Sequence, residues 1–191
     1  MPAKMNTVSM AHSRTARSSN RGFSLIELMA VVVITGILAV AAVSRFRQEF
    51  LASKGSEAAD VIQAIRAGEE AYLAENQVYL NVSTDDDSWY PDAKPNIRSA
   101  WVQPLHADYK RWRELSPAVN RPVLLGYLVY AGEAGSTIPK LQLAAPPTFP
   151  SPMVLGWYVI QARGDVNNNG IFAKYASGSM NSELVVENEG E

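Results

Sequence analysis

The chain contains no cysteine. Disulfides, thiol catalysis and Cys-type zinc sites are therefore excluded, and an exported domain of this chain must hold its loops by packing alone. Histidine is almost as scarce, with only His12 and His106 among 191 residues. A two-histidine metal centre would have to join the two ends of that separation. No G-x-S-x-G, P-loop or other catalytic signature is present. Charge is missing from a third place: from Phe23 to Val43 only Glu27 is ionisable. Acids are absent before Phe23, where Lys4, Arg14, Arg17 and Arg21 stand. Without those four the balance is 13 basic against 19 acidic residues, a net of −6, which gives no nucleic-acid footprint.

What is present is uneven. Hydrophobic residues make up 47% of the chain and charged residues 19%, so the composition is that of a folded protein. Phe23 to Val43 is 21 residues of almost pure apolar sequence, RGFSLIELMAVVVITGILAVAAV in its context. As a helix it would span roughly 30 Å, the thickness of a bilayer core. The basic residues before it place the N-terminus on the cytoplasmic side of an inner membrane and the remainder outside. The run is long for a cleaved secretory signal, and no small-x-small site ends it. A plain signal anchor accounts for length and orientation but not for Glu27. An acid in lipid costs about 2.5–3.5 kcal/mol unless it snorkels to the interface or finds a partner.

Gly22-Phe23-Ser24-Leu25-Ile26-Glu27-Leu28 resembles the type III signal of the type IV prepilin family. The resemblance implies a basic leader, residues 1–22, removed between Gly22 and Phe23 by a prepilin peptidase, with Phe23 then N-methylated. Glu27 becomes the fifth mature residue. It can neutralise the new amine of a neighbouring subunit in a fibre, an arrangement better suited to fixing register than to raw stability. The leader is longer than is usual in the family. The proline often found about twenty residues into the mature helix is absent, since Ser44 and Arg45 stand there.

The helical pattern continues past the apolar run. Ala58, Val61, Ile62, Ile65, Gly68 and Tyr72 recur at three- and four-residue spacing. One helix is expected from about Phe23 to Asn76, with a transmembrane and assembly half over 23–43 and an amphipathic half over 44–76. Gly36 reads as ordinary membrane-helix composition, and Gly55 as a bend near the membrane surface. Residues 77–191 read as a globular loop-plus-sheet domain. A turn-rich loop over 77–98 carries Asp85, Asp86 and Asp87, read as a solvated turn. A short helix is expected around His106–Leu115. Strands are expected at Val123–Ala131, Met153–Ala162, Ile171–Ala176 and Leu184–Val186, with a Pro/Gly-containing connection over 132–152. The expected fold is α+β: a long N-terminal helix packed on a small antiparallel sheet. Pilin globular domains share this layout.

Asp165, Asn167 and Asn169 alternate before Gly170, as in the opening of an EF-hand loop, but the twelfth position is Ala176 rather than glutamate. Two readings stand: a Ca²⁺ loop, as some pilin-like proteins have, or a hairpin closed by Asx side chains. No other cofactor is expected. Arg163-Gly164-Asp165 spells an adhesion tripeptide and is read as chance.

These features imply a structural subunit of a type IV pilus, more in keeping with a minor than a major pilin. The alternatives are a pseudopilin of a type II secretion system and a membrane-anchored periplasmic enzyme around His106. The partners implied are other pilin subunits, the prepilin peptidase, the inner-membrane assembly platform and, before assembly, lipid.

Overall fold

A computed structural model describes residues 23–92 and 96–189. The leader, Gly22 included, lies outside the described residues. The chain divides into two compact units, Met1–Ala42 and Val43–Glu191, and helix α1 (Leu25–Asn76) contributes to both.

In the first unit α1 is apolar on every side, and every described residue is exposed. Phe23 is 81% exposed, Ile26 74% and Val40 76%, so no part of this surface is sequestered within the monomer. The one hydroxyl along the span, Thr35 Oγ1, donates back to Val31 O at 2.8 Å and Val32 O at 3.1 Å, which removes an unpaired donor from an apolar surface. Nothing lies within 4 Å of the position a Cβ would take at Gly36.

In the second unit α1 presents Ala58, Val61, Ile62 and Ile65 as one buried stripe. The stripe lies on an antiparallel sheet of strands β1 (Gly126–Gly132), β2 (Trp157–Gly164), β3 (Ala173–Gly178) and β4 (Val185–Glu187), in that order. The register pairs Tyr127 with Ala162 and Val129 with Ile160, then Ala162 with Tyr175. Alternation along each strand sends this set toward α1. The four strands and the short helix α2 (Tyr109–Leu115) fall where the sequence pattern puts them, within a few residues.

Two boundaries move for a physical reason. The apolar run beginning at Val123 enters the sheet only at Gly126, because Val123 instead pairs with Ser99, through bonds of 2.8 and 2.9 Å. Met153 likewise pairs with Ser136 ahead of the sheet, and β2 starts at Trp157.

The connection between β1 and β2 is more than a linker. Ile138, Leu141, Leu143, Phe149 and Met153 form a second core with Leu128, Tyr130, Trp157 and Val159 on the far face of the sheet. Both faces are covered, which is why these strands are continuous apolar runs instead of alternating ones. Gly132 is required at the end of β1: a Cβ there would stand 2.5 Å from Ser136 Oγ and 2.7 Å from the Trp157 ring.

Gly55 differs from the expectation of a bend. The helix runs unbroken through it, and the residue is buried with the Tyr175 hydroxyl 3.4 Å from its Cβ position. Its small size serves packing. Gly68 serves the same end against Leu115, whose carbonyl lies 3.0 Å from the corresponding point.

Candidate assembly site at the N-terminal helix

The start of α1 is built by two side chains. Ser24 N–H and Ser24 Oγ both donate to Glu27 Oε2, at 2.8 and 2.9 Å, and Glu27 N–H donates to Ser24 Oγ at 3.3 Å. The first turn closes through Leu28 N–H to Ser24 O at 3.2 Å. This is a reciprocal capping box, Ser-x-x-Glu, which satisfies orphan donors at a helix N-terminus and sets an anion at its positive end. In the sequence Glu27 stands out as a charge in an oily run, and that alone does not disclose its second role. The signal that finds it is the serine three residues earlier. Glu27 is exposed and so are Phe23 and Ser24, and the box employs only the Oε2 oxygen of the carboxylate.

The apolar span that follows, Leu25–Val43, is 19 residues long and exposed throughout. At about 1.5 Å per residue it is roughly 28 Å long, enough to cross a bilayer core.

The other sequence candidates lie in the second unit. His106 is not poised for catalysis. Its Nδ1 accepts Asp108 N–H at 3.1 Å, its Nε2 is 3.2 Å from Trp89 O, and its ring stands edge-on to Tyr90 at 5.0 Å. The buried Asp108 carboxylate accepts Thr84 Oγ1–H and Ser88 Oγ–H, both at 2.8 Å, tying the acid-rich turn to α2. Tyr90 stacks on Trp112 at 4.9 Å, and Trp101 meets Trp112 edge-on at 5.3 Å. The histidine belongs to that aromatic cluster.

Asp85, Asp86 and Asp87 form a turn fastened to the sheet. Tyr130 O–H donates to Asp86 Oδ1 at 2.8 Å, and Asp87 lies 3.6 Å from Arg163. Among the described residues no group of three or more His, Asp or Glu is placed to hold a metal ion.

The Asp165–Gly170 loop closes through its own side chains. Asp165 accepts N–H bonds from Asn169 at 3.1 Å and Gly170 at 2.9 Å, Asn167 Oδ1 accepts from Asn169 at 3.0 Å, and Asn169 Oδ1 from Ile171 at 2.7 Å. Desolvation would raise the Asp165 pKa, but these backbone donors outweigh it and hold the carboxyl below its ordinary value. Asn168 takes the left-handed conformation, φ 62°, that asparagine tolerates. The loop is held to α1 by Lys54, whose ammonium donates to Val166 O at 2.6 Å. The loop offers one carboxylate, and each of its four side-chain oxygens named above accepts a backbone donor. The neighbouring tripeptide is not presented for adhesion. Arg163 lies over the Trp89 ring at 4.2 Å and Asp165 is 3% exposed.

Comparison with known proteins addresses the N-terminal region directly. Residues 17–43 match the family described as the prokaryotic N-terminal methylation motif. The chain is 39% identical over 66 residues to the type IV major pilin protein PilA of Myxococcus xanthus (strain DK1622), covering 35% of this chain and 30% of that one. It is 31% identical over 72 residues to a fimbrial protein of Pseudomonas aeruginosa, covering 38% of this chain and 47% of that one. The chain thus matches less than half the length of either relative. The chain is therefore similar to type IV pilins over its N-terminal region, where a methylation motif leads into a capped, fully exposed apolar helix, and its second unit carries a four-stranded antiparallel sheet.

Proposed function

We propose that the chain is a structural subunit of a type IV pilus, and a minor pilin within it. The observation that carries this is the bare apolar helix from Leu25 to Val43, which has no use inside the monomer and is introduced by the methylation motif. In the membrane the helix is solvated by lipid. In a fibre it packs against copies of itself or related subunits, where dispersion contacts replace lipid. The peptidase removes residues 1–22 at Gly22–Phe23, Phe23 is methylated, and the assembly platform extracts the subunit. The sheet domain lies on the periplasmic side before export and on the fibre surface after it.

The N-terminus is the first test. Mass spectrometry of subunit recovered from fibres should find an N-methylated phenylalanine, Phe23, as the first residue. An intact leader in the fibre would overturn the processing scheme. The type II secretion pseudopilus is separated by phenotype. A deletion strain should lose or shorten surface pili, whereas intact pili with a secretion defect would transfer the subunit to that system.

The Asp165–Gly170 loop is proposed to keep its shape without an ion, since its oxygens are already engaged by backbone donors. Melting the protein in detergent with 1 mM Ca²⁺ and then with a chelator should give the same midpoint within about 1 °C. A rise of several degrees with Ca²⁺, about 1 kcal/mol for a domain of this size, would show that the loop binds it.

A further inference from the structure

Glu69 sits on the core-facing side of α1 with none of its surface exposed. Its Oε2 accepts the backbone N–H of Leu80 at 3.0 Å, and its Oε1 has no partner among the described residues. Leu80 ends a short strap, residues 77–80. The strap leaves the helix through Gln77, in the left-handed conformation at φ 64°, and Gln77 N–H donates to Leu73 O at 2.8 Å. Gln77, Val78 and Tyr79 make one wall of an open crevice of about 770 Å³, faced by Ala131, Glu133 and Leu155. A carboxyl group beneath the strap thus tethers it through one oxygen and leaves the other unpartnered among the described residues.

We propose that Glu69 is a pH-sensitive latch on this strap: protonated, it stays buried and holds Leu80 in place, and ionised, it favours the open strap and so reshapes the crevice.

The charged and titratable groups around it come from α1, the strap, β2 and α2. On α1, the neighbouring Glu70 accepts the hydroxyls of Tyr79 on the strap and Tyr158 on β2, at 3.4 and 3.3 Å. Tyr72 donates to Glu114 of α2 at 3.0 Å. Arg66, the nearest cation along α1, spends its guanidinium on Ser177 Oγ and Ser182 O, at 3.3 and 3.0 Å. Glu69 therefore feels the neighbouring Glu70, and among the described residues no cation is paired with it. Burial pushes its pKa up to about 8, the Leu80 N–H opposes this without prevailing, and Glu70 adds to the rise.

The sign of the effect follows from where the proton is held. The closed strap keeps a proton that the open, solvated strap releases at an ordinary carboxylate pH. Opening therefore becomes easier as pH rises from about 4.5 to about 8, by up to about tenfold per unit, and levels off above that.

Hydrogen exchange at the Leu80 amide tests it, on the full chain in detergent micelles at pH 5.5 and 7.5, corrected for intrinsic exchange. In the wild type, protection should fall by at least about tenfold between the two. Glu69→Gln keeps an acceptor for Leu80 and cannot ionise, so its protection should stay flat. The amide of Ile160, central in β2, reports the sheet. Equal protection at both pH values in the wild type, the same fall in Glu69→Gln, or an equal fall at Ile160 would each overturn the latch.

Discussion

Glu27→Ala is expected to reach the membrane at wild-type level and to be nearly absent from fibres. Both halves have a physical basis. Removing an acid from an apolar span lowers the cost of insertion, by up to about 2.5–3.5 kcal/mol for one at the helix centre and less for Glu27 in the first turn, so insertion does not suffer. In the fibre that the prepilin resemblance implies, the carboxylate would offset the amine at Phe23 of a neighbour. Deleting one partner of a buried pair costs about 3–5 kcal/mol, on the order of 100-fold or more in an assembly equilibrium. The capping box complicates the alanine variant, because losing Ser24's acceptor costs about 1 kcal/mol at the helix start. Glu27→Gln separates the two effects. Glutamine can still accept from Ser24 but carries no charge. If charge pairing governs assembly, Gln fails nearly as badly as Ala. If the cap governs it, Gln restores incorporation. Quantifying subunit in sheared fibres and in membranes of the three strains reads the result, and normal incorporation of both variants would remove Glu27 from the assembly argument.

Trp112→Ala is expected to cost about 3–5 kcal/mol of stability in the sheet domain, which is a large share of what a domain this size has. Trp112 is 1% exposed, stacks on Tyr90, meets Trp101 edge-on and sits one turn before Leu115, another core residue. Its Nε1 has no partner among the described residues, so packing holds the ring. The cluster does what a disulfide does in many small exported domains. It pins α2 and the long loop between α1 and β1 to the core in a chain with no cysteine. The substitution leaves a cavity that the surrounding rings cannot fill, since Tyr90 is also fixed by paired bonds to Tyr127, at 2.7 and 3.0 Å. Denaturant unfolding in detergent should show a lower midpoint. A loss below about 1 kcal/mol would mean that the loop is held elsewhere, with the Asp108 node linking Thr84 and Ser88 the first candidate.

The sequence by itself determined the elements whose cause is local or periodic. Helix α1 was legible because apolar spacing persists from Phe23 to Tyr72. The strands were legible because VLLGYLVYA, MVLGWYVIQA and the run before Ala176 are rich in residues that fit a pleated sheet. The N-terminal methylation motif was legible because targeting signals are short linear patterns. Even its unread part, the Ser24–Glu27 box, is a four-residue motif that the sequence displays.

What only the tertiary structure decided depends on residues brought together across long separations. A buried Glu69 looks like any acid on an amphipathic helix until Leu80 and the sheet close over it. His106 reads in the sequence as a structural or surface histidine, and only the fold supplies its neighbours Trp89, Tyr90 and Asp108. Residues 138–153 look like a linker until their apolar side chains cover the second face of the sheet. Gly55 looks like a hinge until Tyr175 packs on it. In these cases burial sets the chemistry, and burial depends largely on partners distant in the chain, which no local pattern encodes.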